Sequence, residues 1–431
     1  MRACVTEFCV PIYHARGRDG CEDFSLASWQ RTYAGEDRLM PSQTLVIADY
    51  PVGYASGFGE TLYNLFDGFP SDKLWTAHPS HLLAAAGKTR AESIKLPSPS
   101  RPQWVPDRVS LAYYPFLKVK QFRAARETVR LLHEVVKRNS IQNLLVIPVS
   151  PWILSAALAL HKQCSQLKLV VYVMDDWQGH HECYELPYSS WRQQLLAEVI
   201  DRATVRFAVS REMAAHYEEK FGKSWVVVHN GVGNTALPHK TRAAVDSKQV
   251  LLAGDINVFR FDAVMAFAKA IERHNQRRGE SIKLTVMGEV AAEHRRSLSS
   301  LTAVRLLRRQ SHSECLRAMT AADLLYLPLA FCKQSSRISL YSLPTKLPEY
   351  LASGKNVFFH APHESAVYRV AERYDLTPRL ATIDPEALDE FVAAWDQSDR
   401  NGNDSTAKAT RALQEEFNLG RLAARFQAAF A

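Results

Sequence analysis

From residue 44 almost to the C-terminus, short continuous apolar runs rich in β-branched residues alternate with longer stretches of helical pattern. A strand that is apolar at every position is buried on both faces, which happens when helices cover both sides of a parallel sheet. In the first half the runs at 44–49, 73–78, 93–96, 144–149, 167–174, 205–209 and 225–229 read as strands. Helices are expected near 60–66, 119–138, 152–164, 191–201 and 212–220, and the Pro-rich residues 97–117 read as a long loop. The polar residues 230–248 read as a linker, after which the alternation restarts. Strands then fall at 249–253, 283–287, 304–307, 324–327 and 357–360, with helices at 261–276, 291–300, 313–320, 345–353 and 365–373. Closing helices lie near 385–396, 406–416 and 420–430.

The pattern predicts an α/β chain of two doubly wound halves facing a central cleft. A length of 431 residues, at about 150 per domain, allows two to three domains. The divisions expected are an N-terminal extension over 1–40, a first domain over 41–237, a second over 247–410 and a terminal helix over 411–431. Composition matters here mainly for what it excludes. At 47% hydrophobic and 23% charged, the chain is not disordered, collagen-like or a coiled coil. Fifty-three Lys and Arg against 45 Asp and Glu give +8, which suits an anionic ligand without choosing among phosphates, nucleic acid and lipid. The seven cysteines include no C-x-x-C pair, so neither a disulfide framework nor a structural zinc site is expected. No run is long and apolar enough for a signal peptide or a membrane span, and the chain reads as cytoplasmic, touching a membrane only from its surface.

Residues 342–359, SLPTKLPEYLASGKNVFF, carry the most chemistry. Pro348 is tolerated only in a first helical turn, which starts the helix near Pro344 or Thr345, with Thr345 as N-cap. Gly354 fits the position just past the helix end. Free amides at the helix start favour an anion, and Lys346 adds a full charge. Glu349, about a turn further on, could accept hydrogen bonds from sugar hydroxyls, as an acidic residue does with ribose in dinucleotide folds. A phosphate cradle beside such a carboxylate points to a nucleotide.

Residues 344–357, P-T-K-L-x-E-Y-L-A-S-G-K-x-V, resemble the donor-site motif of retaining GT-B glycosyltransferases of the family 4 type (glycosyl transferases group 1). The resemblance implies two Rossmann-like domains, with Glu349 on the nucleotide ribose and Pro344, Thr345 and Lys346 holding the diphosphate. Residues 228–232 (VHNGV) resemble the junction between domains. Residues 252–260 (LAGDINVFR) resemble the opening of the second domain, where Arg260 would meet the diphosphate. Residues 53–60 resemble the loop that covers the sugar-diphosphate from the first domain, which gives Gly57 and Gly59 a donor-binding role. The last helix resembles one that crosses back to the first domain. Two positions depart from the pattern. Tyr341 stands where many members carry a glutamate eight residues before Glu349, and Met174 where many carry a histidine.

Asp175 and Asp176 end a buried strand. Such a pair can do acid–base work, hold a metal or cap the next segment; binding acceptor hydroxyls, with His180 at the cleft mouth, is the role expected here. His78 and His81, and His360 and His363, have ligand-like spacing, but no cysteine or carboxylate stands in register and no metal is expected. The basic stretch 118–138, with Arg308 and Arg309, is a solvated face or a contact for anionic lipid. No nucleic-acid module is present, so nucleic acid is not an expected partner.

The resemblance therefore implies transfer of a sugar from a nucleotide-diphospho-sugar to a glycan, glycolipid or other hydroxyl acceptor, with retention of configuration, in polysaccharide or glycolipid assembly. No residue is an evident nucleophile, so a front-face substitution is expected. Arg260, Lys346 and helix-end amides would stabilise the departing diphosphate without cofactor or metal. The alternatives are a sugar-nucleotide epimerase of the same fold and a non-catalytic scaffold that binds glycan or nucleotide.

Overall fold

The computed structural model describes residues 41–82, 88, 90–97, 110–176, 189–233, 247–279, 282–332, 336–398 and 404–431. The expectations on 1–40, on His180 and on most of the linker lie outside the described residues. Seven strands form the first sheet: β1 (Thr44–Ile47), β2 (Leu74–Pro79), β3 (Glu92–Leu96), β4 (Asn143–Val146), β5 (Lys168–Val173), β6 (Val205–Ala208) and β7 (Val226–Val227). All pair in parallel, in the order β3-β2-β1-β4-β5-β6-β7. Six more form the second sheet: β8 (Lys248–Ala253), β9 (Ile282–Met287), β10 (Val304–Leu307), β11 (Leu324–Pro328), β12 (Val357–His360) and β13 (Arg379–Leu380). These are also parallel, in the order β10-β9-β8-β11-β12-β13. The expectation of two doubly wound parallel sheets is met.

Register aligns the C-terminal strand ends on which a ligand site depends. Ile47 stands opposite Ala77 and Val146, and Ala253 opposite Met287. β1, β4, β11 and β12 are buried at every position, as their unbroken apolar runs require. Helix starts are marked by residues that satisfy free amides. The side chains of Ser210, Ser365, Asp384 and Asn418 each accept from an amide in the first turn, and Ser311 with Glu314 makes a reciprocal capping box.

Three elements differ from expectation. The helix Ser110–Arg138 begins inside the stretch read as a loop. Pro115 lies in its second turn, where it removes one amide hydrogen bond without stopping the helix. The short helix Ser336–Tyr341 and the two-residue β13 carry too few residues for any period to show.

The final helix, Leu419–Gln427, packs on the first sheet although it follows the second. Its buried Phe426 meets Phe66 at 5.0 Å and Phe207 at 5.1 Å between ring centroids. The Phe430 carbonyl accepts from the Ser42 amide at 2.8 Å, which ties the chain end to the start of β1.

Candidate functional site

In a doubly wound sheet, a crevice opens beyond the strand ends where the strand order reverses. In the first sheet this point lies between β1 and β4. Asp49, just past β1, accepts hydrogen bonds from the backbone amide of Ser150, at 3.0 Å, and from its hydroxyl. Burial pushes the Asp49 carboxyl up to about 6, and those bonds and the charge of Arg192 only partly oppose the rise. Tyr50 stacks on Tyr54 and Phe58 at 5.1 and 6.0 Å, and burial raises its phenol.

In the second sheet the reversal lies between β8 and β11. Gly254 follows β8 with φ +155°, and Gly288 follows β9. A Cβ on Gly288 would lie 2.3 Å from the Gly254 carbonyl oxygen, and one on Gly254 would lie 2.5 Å from Arg260 Nη1. Neither position tolerates a side chain: backbone occupies the space at Gly288, and the φ of Gly254 is one that side-chain-bearing residues rarely adopt. Arg260 thus rests over the end of β8, and burial lowers its guanidinium below the ordinary value, with Tyr350, Asp255 and Asp175 acting the other way. The Tyr350 hydroxyl accepts from the Ala253 amide at 2.7 Å, so the residue beside Glu349 is fastened to the same strand end.

The helix of the donor-like motif is shorter than expected. It spans Leu347–Ala352 with Lys346 as N-cap and no capping side chain, so Thr345 does not cap it. At six residues its dipole is small, and the positive charge here comes mainly from side chains. Gly354, with φ +68°, does follow its end. Lys346 Nζ lies 2.8 Å from a Glu349 carboxylate oxygen, and Glu349 is buried. Thr345 faces the other half of the molecule. Its methyl carbon lies 3.1 Å from where a Cβ on Gly57 would stand, and its carbonyl accepts from Asn230 Nδ2 at 2.9 Å. The structure therefore brings Gly57 to the donor-like motif. Gly59 has a different reason to be glycine, since a Cβ there would lie 2.5 Å from the Tyr54 backbone. Pro344 stands just before this turn, its carbonyl accepting from the Leu347 amide.

The two carboxylates after β5 meet the second half of the chain. Asp175 accepts from the Ser342 hydroxyl at 2.9 Å. Asp176, 1% exposed, accepts from the Tyr217 hydroxyl at 3.0 Å and pairs with Arg337 Nε at 3.1 Å. Tyr341 stacks on His216 at 4.9 Å, and its carbonyl accepts from the Ser210 hydroxyl. Met174 is buried in the first-sheet core. Arg309 pairs with Asp255 at 2.6 Å and donates to the Ala55 carbonyl in the glycine-containing loop.

Sequence reasoning missed Asp49, Gly254, Gly288 and Arg337, and it read Arg309 as part of a solvated or lipid-facing surface, whereas its guanidinium is tied to Asp255 and to the Ala55 carbonyl. The Gly-Asp pair that directly follows an apolar strand at 254–255 was the available signal for one of them. His78 bonds the Pro79 carbonyl and Ser93, and His360 bonds Tyr326 and the Thr382 carbonyl. Among the described residues, no three His, Cys, Asp or Glu side chains are placed to hold a metal ion.

No family model matches this sequence, and no curated protein matches it. Solved structures share its fold. A glycosyltransferase from Rickettsia africae ESF-5 aligns over 91% of this chain and 99% of its own, with TM-score 0.60 and 10% identity. Anabaena HepE in complex with UDP-glucose aligns over 89% and 98%, with TM-score 0.62 and 12% identity. The α,α-trehalose 6-phosphate synthase of Burkholderia multivorans aligns over 90% and 96%, with TM-score 0.62 and 11% identity. The two sheets of this chain are thus the two Rossmann-like lobes of a GT-B fold.

Proposed function

We propose that this chain is a glycosyltransferase that moves a sugar from a nucleotide-diphospho-sugar to a hydroxyl acceptor, with retention of configuration. One observation carries the reading. Arg260 rests over Gly254 at the end of β8, and Tyr350, next to Glu349, is bonded to the last residue of the same strand. These contacts support a reading in which Arg260, Lys346 and Glu349 act together beside the end of β8. A solved structure of the same fold, Anabaena HepE, holds UDP-glucose.

In this reading Arg260 and Lys346 stabilise charge on the diphosphate, and Glu349 accepts hydrogen bonds from the ribose. The anomeric C–O bond to the diphosphate breaks, and the acceptor oxygen bonds the anomeric carbon on the same face. The acceptor proton passes to a departing phosphate oxygen. Closure of the lobes would limit hydrolysis by excluding water. The acceptor would lie mainly on the first lobe, near Asp175.

A thermal-shift screen against UDP-, GDP-, ADP- and TDP-sugars tests the proposal. A donor present at about a hundred times its Kd stabilises the fold by about 2.7 kcal/mol. Glu349→Ala, with its circular dichroism unchanged, is expected to abolish that shift. Calorimetry showing that the wild-type protein binds none of these nucleotides overturns the reading. Tyr341, held against His216 where a sugar-contacting glutamate is usual, favours a second reading: a nucleotide binder without transfer. Bound donor that is neither transferred nor hydrolysed supports that reading, and conversion to an epimer without acceptor identifies an epimerase.

A further inference from the structure

The helix Ser110–Arg138 is 29 residues long, about 43 Å at 1.5 Å per residue. The strand it leads into, β4, has four residues and spans about 13 Å. All strands of this sheet are parallel, so a helix leading into the start of β4 has its own start toward the opposite, cleft-facing end. Lys118 confirms the direction. Its Nζ lies 5.4 Å over Trp191, at the start of the helix that follows β5. Gln121, Ala124, Ala125, Thr128, Val129, Leu132 and Val136 of this helix are buried.

From Phe116 on, the described exposed side chains of this helix are apolar and basic on one side. Phe116, Val119 and Phe122 are 54%, 49% and 64% exposed, and Leu131 further along the same helix is 42% exposed. At spacings of three they share a helix face. Arg123, Arg126 and Arg130, all exposed, continue along nearly the same face. The whole helix carries seven Lys and Arg against two Glu. Solvated charge alone does not account for large apolar side chains in the same stripe. Together they match an interface with an apolar interior and a negatively charged boundary.

We infer that Phe116, Val119 and Phe122, with the arginines behind them, form a docking surface for an anionic lipid bilayer at the cleft end of the first lobe. The aromatic and aliphatic side chains enter the boundary between headgroups and acyl chains, and the arginines meet lipid phosphates. This surface goes beyond the transferase reading and stands without it. If both hold, the acceptor is reached at the membrane face.

Sedimentation of the full chain with vesicles tests the inference, using equal parts phosphatidylglycerol and phosphatidylcholine against phosphatidylcholine alone. The protein is expected to pellet with the anionic vesicles only, and less as salt rises. The double variant Arg123→Ala/Arg126→Ala is expected to bind about thirtyfold more weakly, at about fivefold per arginine. Phe122→Ser is expected to lose about tenfold. Arg411→Ala, an exposed cation on another helix, is expected to change nothing. Equal binding to both vesicles, none to either, an equal loss in the Arg411 variant, or capture by RNA but not by vesicles overturns the inference.

Discussion

Arg260 and Gly254 work as a pair, because the guanidinium lies where a side chain at 254 would have to stand. The motif around Glu349 was legible because its proline, lysine, glutamate and glycine each have a local backbone or charge reason. The glycines at 254 and 288 were not, since a φ of +155° calls for the first and the close approach of two strand ends for the second. Asp49 was hidden for a similar reason: Ser150, which it bonds, is far away in the chain. Its carboxyl, raised to about 6, holds a proton in the folded state over a range where the unfolded chain has already lost it. This contribution to stability is therefore largest in acid and declines as pH rises from about 4 through about 6. Asp49→Asn is expected to flatten that decline and to raise stability above neutrality by at most about 3 kcal/mol, as read by urea unfolding across the window.

Among the elements, the strands were the easiest to place. β10 and β12 fall where their apolar runs predict them. Helix ends were less accurate, and Ser336–Tyr341 escaped notice because its contacts come from elsewhere in the chain. Ser210 holds its last carbonyl and His216 its last ring. The final helix shows how one element can serve two lobes. It follows the second sheet, yet Phe426 sits fully buried among Phe66, Tyr172 and Phe207 of the first. Phe426→Ala is expected to cost about 3–5 kcal/mol, measured by denaturant unfolding. A cost below about 1 kcal/mol would show that this helix is not part of the first-lobe core.

At the scale of the molecule, the lobes meet through polar ties: Asp175 with Ser342, Asp176 with Arg337, Arg309 with the Ala55 carbonyl, and Asn230 with the Thr345 carbonyl. Asp176 is buried, and Arg337 is a cationic partner that reaches it from the second lobe. Arg337→Ala is expected to loosen this closure and raise the radius of gyration in small-angle scattering. An unchanged radius and unchanged melting would show that the tie does not hold the lobes.

The sequence by itself determined that there are two parallel sheets, because unbroken apolar strands cannot be satisfied any other way in a chain alternating with helices. It also singled out residues 344–357 as the segment on which the proposed donor site rests, because its proline, glycine and charged residues form a local pattern. Only the tertiary structure decided that Asp175 and Asp176 tie the lobes, that Tyr341 stacks across them, and that Arg260 lies over Gly254. Those facts depend on distances between residues far apart in sequence, and no local pattern encodes them.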